Sequence, residues 1–525
     1  MAVDASRRRW WCLAVLCLSL MSILVSNGIL GIALPAIARG SGATNTELQW
    51  IVDVYLLTFA GLLLPMGSLG DRFGRRGAWE LGLVVFGTTS LVAAFMDSPT
   101  ALIACRAVMG IGGALVMPAT LSILTNVFTD SRDRGRAIGI WVGTTGLGSI
   151  FGPIVGGILL QHFWYGSLFL MNLPVVVLAL IGGRRYVPTS RDPHARPLDV
   201  PGSVISVIAL SLLLWGVIEG PIDGWGSAPV VGGLIGAIVA GAVFVWWERR
   251  VEFPLLEISL FRNPRFSIAC VAVTALVFSM STMAYLFPQY LQFVMGNDVL
   301  GAAYRQVPLA VTYMVAGPLA PRLVERIGSK MVLAGGMGVV GAVLLAASTL
   351  DVDTSYWFVA VLLAVLALGV ASAFGPATDS IMGAVPKHRA GVGSAMNDAT
   401  RQVGAALGIA IVGTMLVSGY RSYISAHAAS LGVGHDTLER VKSSVAASLS
   451  TASHLGAAAG DRLADVTRRA FVHGMSLGFV LGGAVCLLAS LAVIWRLPAR
   501  ELEAPSPEMV AEELRELGVV VPELA

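Results

Sequence analysis

Three acids and two bases interrupt stretches that are otherwise apolar. Asp53 stands in W-I-V-D-V-Y, Arg106 in L-I-A-C-R-A-V-M, Asp379 in G-P-A-T-D-S-I-M, and Asp398 and Arg401 three apart in M-N-D-A-T-R-Q-V. Ionisable groups inside lipid are costly and are kept where they line a pathway or neutralise a partner. The chemistry open to them is proton uptake and release. Desolvation favours the neutral carboxyl and a nearby arginine favours the charged one, so occupancy can follow the side to which a cavity opens. Asp398 and Arg401 share a helix face at their spacing, either as a cavity acid with its counter-charge or as a mutually neutralised pair. Asp53 reads as a coupling or substrate-contacting acid, or as an interfacial ion pair with Arg39. Asp379, at a helix end, reads as a gate or loop-anchoring residue. The five cysteines, Cys12, Cys17, Cys105, Cys270 and Cys486, all lie in apolar runs and suggest neither a disulfide framework nor a metal site. No G-x-x-x-x-G-K-[ST] loop occurs, so ATP does not drive the chemistry; neither an enzyme nor a cofactor is expected.

The elements that position these groups must be membrane helices. Of 525 residues 56% are hydrophobic and 13% charged, against about 25% charged in soluble domains. At about twenty residues per crossing, the apolar runs predict an all-α membrane protein with fourteen spanning helices. They fall at 11–38, 48–70, 78–97, 99–127, 134–160, 166–185, 200–219, 228–247, 265–290, 300–322, 329–350, 355–384, 390–418 and 471–496. The first run is too long for a signal-peptide apolar region, so it reads as a retained helix. With alternate loops assigned to opposite sides, 25 of the 35 lysines and arginines fall on one side. That side is expected to be cytoplasmic, with both termini on it.

The turn G-S-L-G-D-R-F-G-R-R, from Gly67 to Arg76, returns 254 residues later as P-R-L-V-E-R-I-G-S-K. Asp71, Arg72, Gly74 and Arg76 then correspond to Glu325, Arg326, Gly328 and Lys330; Arg75 completes the first basic cluster, and Asp71 is expected near the start of the following helix, where the dipole favours a negative charge. Helix 2 therefore maps onto helix 10, which leaves two additional helices between two six-helix halves. The organisation expected is 1–185 as the first bundle and 186–264 as a linker with the two additional helices and a short surface helix. Residues 265–496 form the second bundle, with an external segment at 419–470, and 497–525 form a cytoplasmic tail. The external segment is too polar to span; it reads as a surface loop or a lid, with amphipathic helix near Asp461–Ala470. Helix 5 carries Gly148, Gly152 and Gly156 at every fourth position, with Pro153 and Gly157 beside them. Such a ladder makes a flat face for close helix packing, and the proline removes a backbone hydrogen bond.

These segments resemble the major facilitator superfamily and, within it, the fourteen-helix drug:proton antiporters. The turn at 67–76 is similar to the superfamily's loop between helices 2 and 3, and Gly148–Gly157 to its antiporter pattern. W-I-V-D-V-Y and G-V-G-S-A-M-N-D-A-T-R-Q-V-G are similar to the fourteen-helix family. The resemblance implies two bundles rocking about a central site and proton-driven efflux of lipophilic, cationic compounds by a monomer in a bacterial inner or plasma membrane, with no nucleic-acid partner. It assigns Gly67, Asp71, Arg72, Gly74, Arg75, Arg76, Glu325 and Arg326 to conformational switching. Arg106 takes a position associated with proton transfer, from which family geometry would let it stabilise the charged form of Asp53; the alternative is a structural tie to helix 1, for example to Asn27. Cavity candidates are Asn27, Tyr55, Trp141, Phe287, Gln289, Tyr290, Gln292 and Tyr313. Ser26 stands where many of these antiporters have an aspartate, which weakens the case for a dication. Export of an endogenous lipid or antibiotic metabolite, or a transporter-like sensor, are the competing readings.

Overall fold

In a computed structural model of the chain, residues 2–43, 45–190, 198–385, 390–428, 435–443, 445–454 and 457–498 are described. The expected tail beyond Pro498 lies outside them. Fourteen long helices carry the fold: α1 (Ala2–Ser41), α2 (Asn45–Phe73), α3 (Arg75–Ala93), α4 (Pro99–Val127), α5 (Ser131–His162), α6 (Asn172–Tyr186), α7 (Val200–Asp223), α8 (Ala228–Glu248), α9 (Pro264–Gln289), α10 (Val307–Ile327), α11 (Ser329–Ala347), α12 (Tyr356–Gly383), α13 (Ala390–Ala426) and α14 (Ala457–Arg496). Among the described residues eleven stretches are long and apolar enough to cross a membrane, and Gly301–Ile327, which contains α10 and bends by 52° between Gly317 and Leu319, makes a twelfth when counted as one span. The other two helices are α3, which carries Arg75, Arg76 and Glu80, and α5, which is rich in glycine, serine and threonine. Both pack as members of the first bundle all the same. At about 1.5 Å per residue α3 is roughly 28 Å long, close to the thickness of the hydrocarbon core.

The packing repeats. In the first half α1 lies against α5 and α6, α4 against α2 and α3, and α3 against α6. In the second half α9 lies against α13 and α14, α12 against α10 and α11, and α11 against α14. Eight helices separate each equivalent pair, as the repeated turn predicts. Glycine makes the correspondence possible at the turns: Gly74 (φ 112°) and Gly328 (φ 84°) both link their helices through positive-φ backbone, a conformation costly for any residue with a Cβ. Close crossings recur too. Gly82 of α3 meets the Gly112 backbone of α4, and Gly336 of α11 meets Gly369 of α12. The ladder of Gly148, Gly152 and Gly156 lies on Leu24, Gly28 and Ile29 of α1, while Gly404 and Gly408 of α13 lie on α9.

The halves meet where α2 and α4 contact α13 and where α5 contacts α10 and α12; α7 lies against α2 and α13, with α8 behind it. The surface helix expected after α8 is a single 3-10 turn, Ile258–Arg262. The preceding chain is clamped instead, Leu256 N donating to the buried Glu248 carboxylate at 3.0 Å.

The segment at 419–470 departs from a loop. α13 and α14 contain 37 and 40 residues, about 55–60 Å of helix against a hydrocarbon core of about 30 Å, so both run on beyond the membrane. Helices His435–Ser443 and Val445–His454 pack on them around Tyr420, Ile424, Val441, Ala452, Leu463 and Ala470. Tyr420 Oη donates to the Val441 carbonyl at 2.8 Å, and the Ser448 and Thr467 hydroxyls bond at 2.6 Å. Alanine-rich sequence keeps its helix propensity where hydropathy falls, and this small apolar core repays the extension.

The arginine asymmetry and this hairpin predict orientation together. Single cysteines placed at 447–453 are expected to react with a membrane-impermeant maleimide from outside intact cells. Cysteines replacing Arg76 or Arg249, and tags on either terminus, are expected to be reachable only after permeabilisation. Labelling of the hairpin from the inner side alone would reverse the assignment.

Candidate functional site

Between the bundles, α13 presents Asp398, fully buried, with Arg401 Nη1 3.8 Å from its Oδ1. Asn397 Nδ2 approaches the same oxygen at 3.4 Å, and Asp398 Oδ2 has no hydrogen-bond partner among the described residues. About 1.5 Å per residue from the start of α13 places Asp398 roughly 12 Å deep. The Arg401 guanidinium lies 4.8 Å from the Phe374 ring centroid on α12 and 5.5 Å from that of Trp141 on α5. Tyr313 of α10 faces it electrostatically, its hydroxyl buried without a hydrogen bond among the described residues. Trp141 is fixed from behind by Nε1 donation to Thr120 Oγ1 at 3.1 Å. One cation is thus shared by aromatic groups of both halves, at the surface that must part for the halves to rock. Cation–π contacts of this kind gain strength when desolvated.

A second polar group lies toward the other face. Asp53 of α2 hydrogen-bonds Gln49, whose Nε2 also reaches Glu219 Oε1 of α7 at 3.4 Å. Arg106 is not its partner. Buried in α4, Arg106 donates from Nε to the Ile51 carbonyl at 3.0 Å and lies 4.1 Å above the Tyr55 ring. Asn27 and Arg39, the alternatives for these two residues, have side chains outside the described ones, as does Pro153. Ser26 is turned into the first bundle, where Asn172 Nδ2 donates to it at 3.3 Å and to Ser90 at 2.9 Å. The aspartate lacking at this position would have met Asn172, within that network.

On the arginine-rich face the halves are latched. Asp71 lies in the last turn of α2, rather than at the start of the following helix. Its carboxylate accepts from Arg75 Nε (2.7 Å) and, across the halves, from Gly391 N (2.7 Å) at the first turn of α13. Val392 N donates to it as well. An anion at a helix N-terminus is favoured by the dipole and by the unsatisfied N–H groups there. Gly67 allows the approach, because a Cβ there would collide with the Gly391 carbonyl. Arg76 ties the turn down through Glu80 (2.9 Å) and the Val187 carbonyl (3.1 Å). The second seam is closed at the same face by Arg134 of α5 and Asp379 of α12, 3.0 Å apart. Asp379 therefore joins the latch rather than the central pair. Arg72 stacks on its neighbour Phe73 at 5.3 Å, and Arg326 faces an outer groove. Glu325 is exposed at the end of α10.

Among the cavity candidates, Trp141 and Tyr313 converge on Arg401, and Tyr55 on Arg106. Phe287, Gln289 and Tyr290, at the end of α9 and in the turn after it, make their described contacts within the second bundle. Phe287 packs on Tyr290 and Phe479 inside the second bundle, and Tyr290 Oη donates to the Asp351 carbonyl at 2.8 Å. Gln289 bonds back to the Tyr285 carbonyl at 2.8 Å, and Gln292 is half-buried in the π-helical turn Tyr290–Val294.

The family pattern described as Major Facilitator Superfamily matches residues 16–409. The chain belongs to the Major Facilitator Superfamily. It is 35% identical over 487 residues to the multidrug efflux pump LfrA of Mycolicibacterium smegmatis, covering 93% of this chain and 96% of that one. It is 32% identical over 489 residues to the methyl viologen resistance protein SmvA of Salmonella typhimurium, covering 93% and 98%. A third relative, the tetracenomycin C resistance and export protein of Streptomyces glaucescens, is 32% identical over 516 residues, covering 95% and 94%. Among solved structures, the human organic anion transporter MFSD10 superposes with a TM-score of 0.62 at 12% identity, covering 92% of this chain and 99% of that one; at that identity the likeness is one of fold.

Sequence reasoning missed three partners in this superfamily member: Glu219, Phe374 and Arg134. Glu219 had a signal, as an acid in V-I-E-G-P near the end of an otherwise apolar helix, with only Asp223 beyond it. The other two come from helices whose proximity only the packing reveals.

The latch geometry predicts that Asp71→Asn keeps an acceptor but loses the charge that strengthens its bonds to Arg75 and to the α13 N-terminus. Hydrogen bonds to a charged group contribute about 1.5–3 kcal/mol each, so turnover in vesicles is expected to fall about tenfold or more. Equilibrium substrate affinity is expected to stay within about twofold, a few tenths of a kcal/mol. A large affinity loss with normal turnover would place Asp71 in the binding site instead.

Proposed function

We propose that this membrane protein is a proton-coupled antiporter that expels lipophilic cations by alternating access, works as a monomer, and keeps its arginine-rich face and both termini in the cytoplasm. The observation that carries the reading is the Asp398–Arg401 pair, held between aromatic groups of both halves at the seam. Efflux and resistance functions named for relatives alignable over nearly the whole chain support it. With the latches formed, access to the central pair comes from outside. A proton entering there adds to Asp398 Oδ2, the carboxylate oxygen without a hydrogen-bond partner among the described residues. The acid is then neutral, and Arg401 retains its full positive charge beside the aromatic walls. A bound cation loses its attraction and is released outward. The halves then rock, the latches open, and the proton leaves to the cytoplasm. Asp53 divides the work from the other half, with Gln49 and Glu219 as its polar neighbours. No cofactor is required: one proton exchanged for one monovalent cation moves no net charge and draws on the pH difference, and each further charge moved inward adds about 2.3 kcal/mol per 100 mV, roughly fifty-fold.

One observation favours a second reading. Among the described residues the Tyr313 hydroxyl and Arg401 Nη1 are donors without a hydrogen bond, suited to the carbonyl or phenolate oxygen of a neutral or anionic polycyclic compound, such as an antibiotic metabolite. Parallel transport assays with cationic dyes and neutral polycyclic antibiotics separate the two. Ligand binding without flux of either would make the chain a sensor.

In reconstituted vesicles, Asp398→Asn is expected to abolish substrate-induced proton movement and to remove accumulation of the cation driven by a pH difference across the membrane. Downhill exchange should continue, because the rocking helices are untouched. Asp53→Asn is expected to behave likewise. Full proton-coupled efflux of both cationic and neutral substrates by both variants would exclude these acids as coupling sites.

A further inference from the structure

On the lipid side of the second bundle, α10 and α12 enclose a groove of about 270 Å³. Leu319 and Leu323 of α10 and Leu368 of α12 form its walls, Ala320 leaves it depth, and Arg322 and Arg326 stand at its arginine-rich end. The three leucines are 43–51% exposed, so in a membrane they face acyl chains. Both arginines are exposed, lie one helical turn apart near the terminus of α10, and form no ion pair among the described residues.

From this geometry we infer a specific site for an anionic glycerophospholipid of the phosphatidylglycerol type, drawn from the leaflet on the arginine-rich face. Its phosphate bridges Arg322 and Arg326, and one acyl chain lies along Leu319, Leu323 and Leu368. A guanidinium presents paired donors that match phosphate oxygens, and basic pockets between membrane helices on the cytoplasmic side are suited to lipid headgroups. An apolar slot continuous with two arginines selects the whole amphiphile, whereas scattered interfacial arginines would attract only surface charge. The site has a mechanical context. The 52° bend of α10 falls between Gly317 and Leu319, where the groove begins, and Gly317 packs against Gly139 of α5 at the seam. A lipid seated there braces Leu319–Ile327, the part of α10 below the bend, against α12.

The test is lipid retention by the purified full-length chain, titrated with phosphatidylglycerol or phosphatidylcholine and read by native mass spectrometry. The wild type is expected to retain one phosphatidylglycerol per chain in preference to phosphatidylcholine. The double variant Arg322→Gln/Arg326→Gln is expected to bind it roughly thirty-fold more weakly, given the usual contribution of each interfacial arginine. Its phosphatidylcholine binding should be unchanged. Arg249→Gln/Arg250→Gln removes the same charge at the end of α8 and is expected to leave the single retained lipid in place. Equal losses in both double variants would reduce the effect to general surface charge and overturn the site. Retention of phosphatidylglycerol by Arg322→Gln/Arg326→Gln at wild-type affinity would overturn it as well. Because the readout is binding, failure here leaves the transport reading intact.

Discussion

The interaction on which the arrangement depends is the Asp71 carboxylate seated on the N-terminus of α13. A helix that begins inside a protein leaves N–H groups unsatisfied, and here the missing acceptor comes from the opposite half of the molecule. The bond therefore exists only while the arginine-rich face is closed. Opening that face exposes both the carboxylate and the α13 terminus, which water can then satisfy. The cost of parting is moderate, because each lost hydrogen bond is replaced. Such a contact can latch a transporter without locking it. Arg134 and Asp379 repeat the device at the other seam with an ion pair partly open to solvent, where screening keeps the attraction small.

Glycine supplies the complementary constraint. The pairs Gly82–Gly112 and Gly336–Gly369 bring backbones within each half so close that the crossings have no slack. The ladders on α5 and α13 do the same against α1 and α9. Each half is thereby rigid internally, and motion is directed to the seams, where the packing elements are the Arg401 aromatic cage and the Gly139–Gly317 contact. Rigid halves joined by reversible polar latches are what alternating access requires.

Much of this was legible in the sequence. Apolar runs of spanning length, punctuated by arginine-bearing turns, located the helices, and one repeated turn revealed both the two-fold relation and the insertion of α7 and α8. Periodicity places a residue on a face of its helix but does not say which neighbour the face meets. Hence Phe287 and Tyr290, aromatic and on a promising helix, turned into their own bundle, and Asp53 found Gln49 and Glu219 instead of Arg106. The ends of α13 and α14 were misjudged for a different reason. Hydropathy reports what lipid will accept, and the alanine-rich chain beyond the membrane remains helical by propensity and by its small core.

The inserted helices carry an implication of their own. Were α7 and α8 merely a spacer between the halves, they would need only apolar faces for lipid. Instead α7 brings Glu219 to Gln49 beside Asp53, and Trp225, in the turn after it, donates to Thr414 of α13 at 2.8 Å. At the opposite end, Asp199 caps α7 by accepting from Gly202 N (2.8 Å) and holds Trp247 of α8 (3.0 Å). Leu255 and Leu256, clamped by Glu248, then pack with Leu64 of α2 and Val392 and Ala395 of α13. The pair thus grips α2 from one half and α13 from the other at both membrane faces. A body attached across a moving seam must slide on one side as the halves rock, and its polar contacts set which side gives way. Because α2 carries Asp53 and Asp71, and α13 carries Asp398 and the latched N-terminus, α7 touches both helices that bear the acids proposed for coupling and the latch.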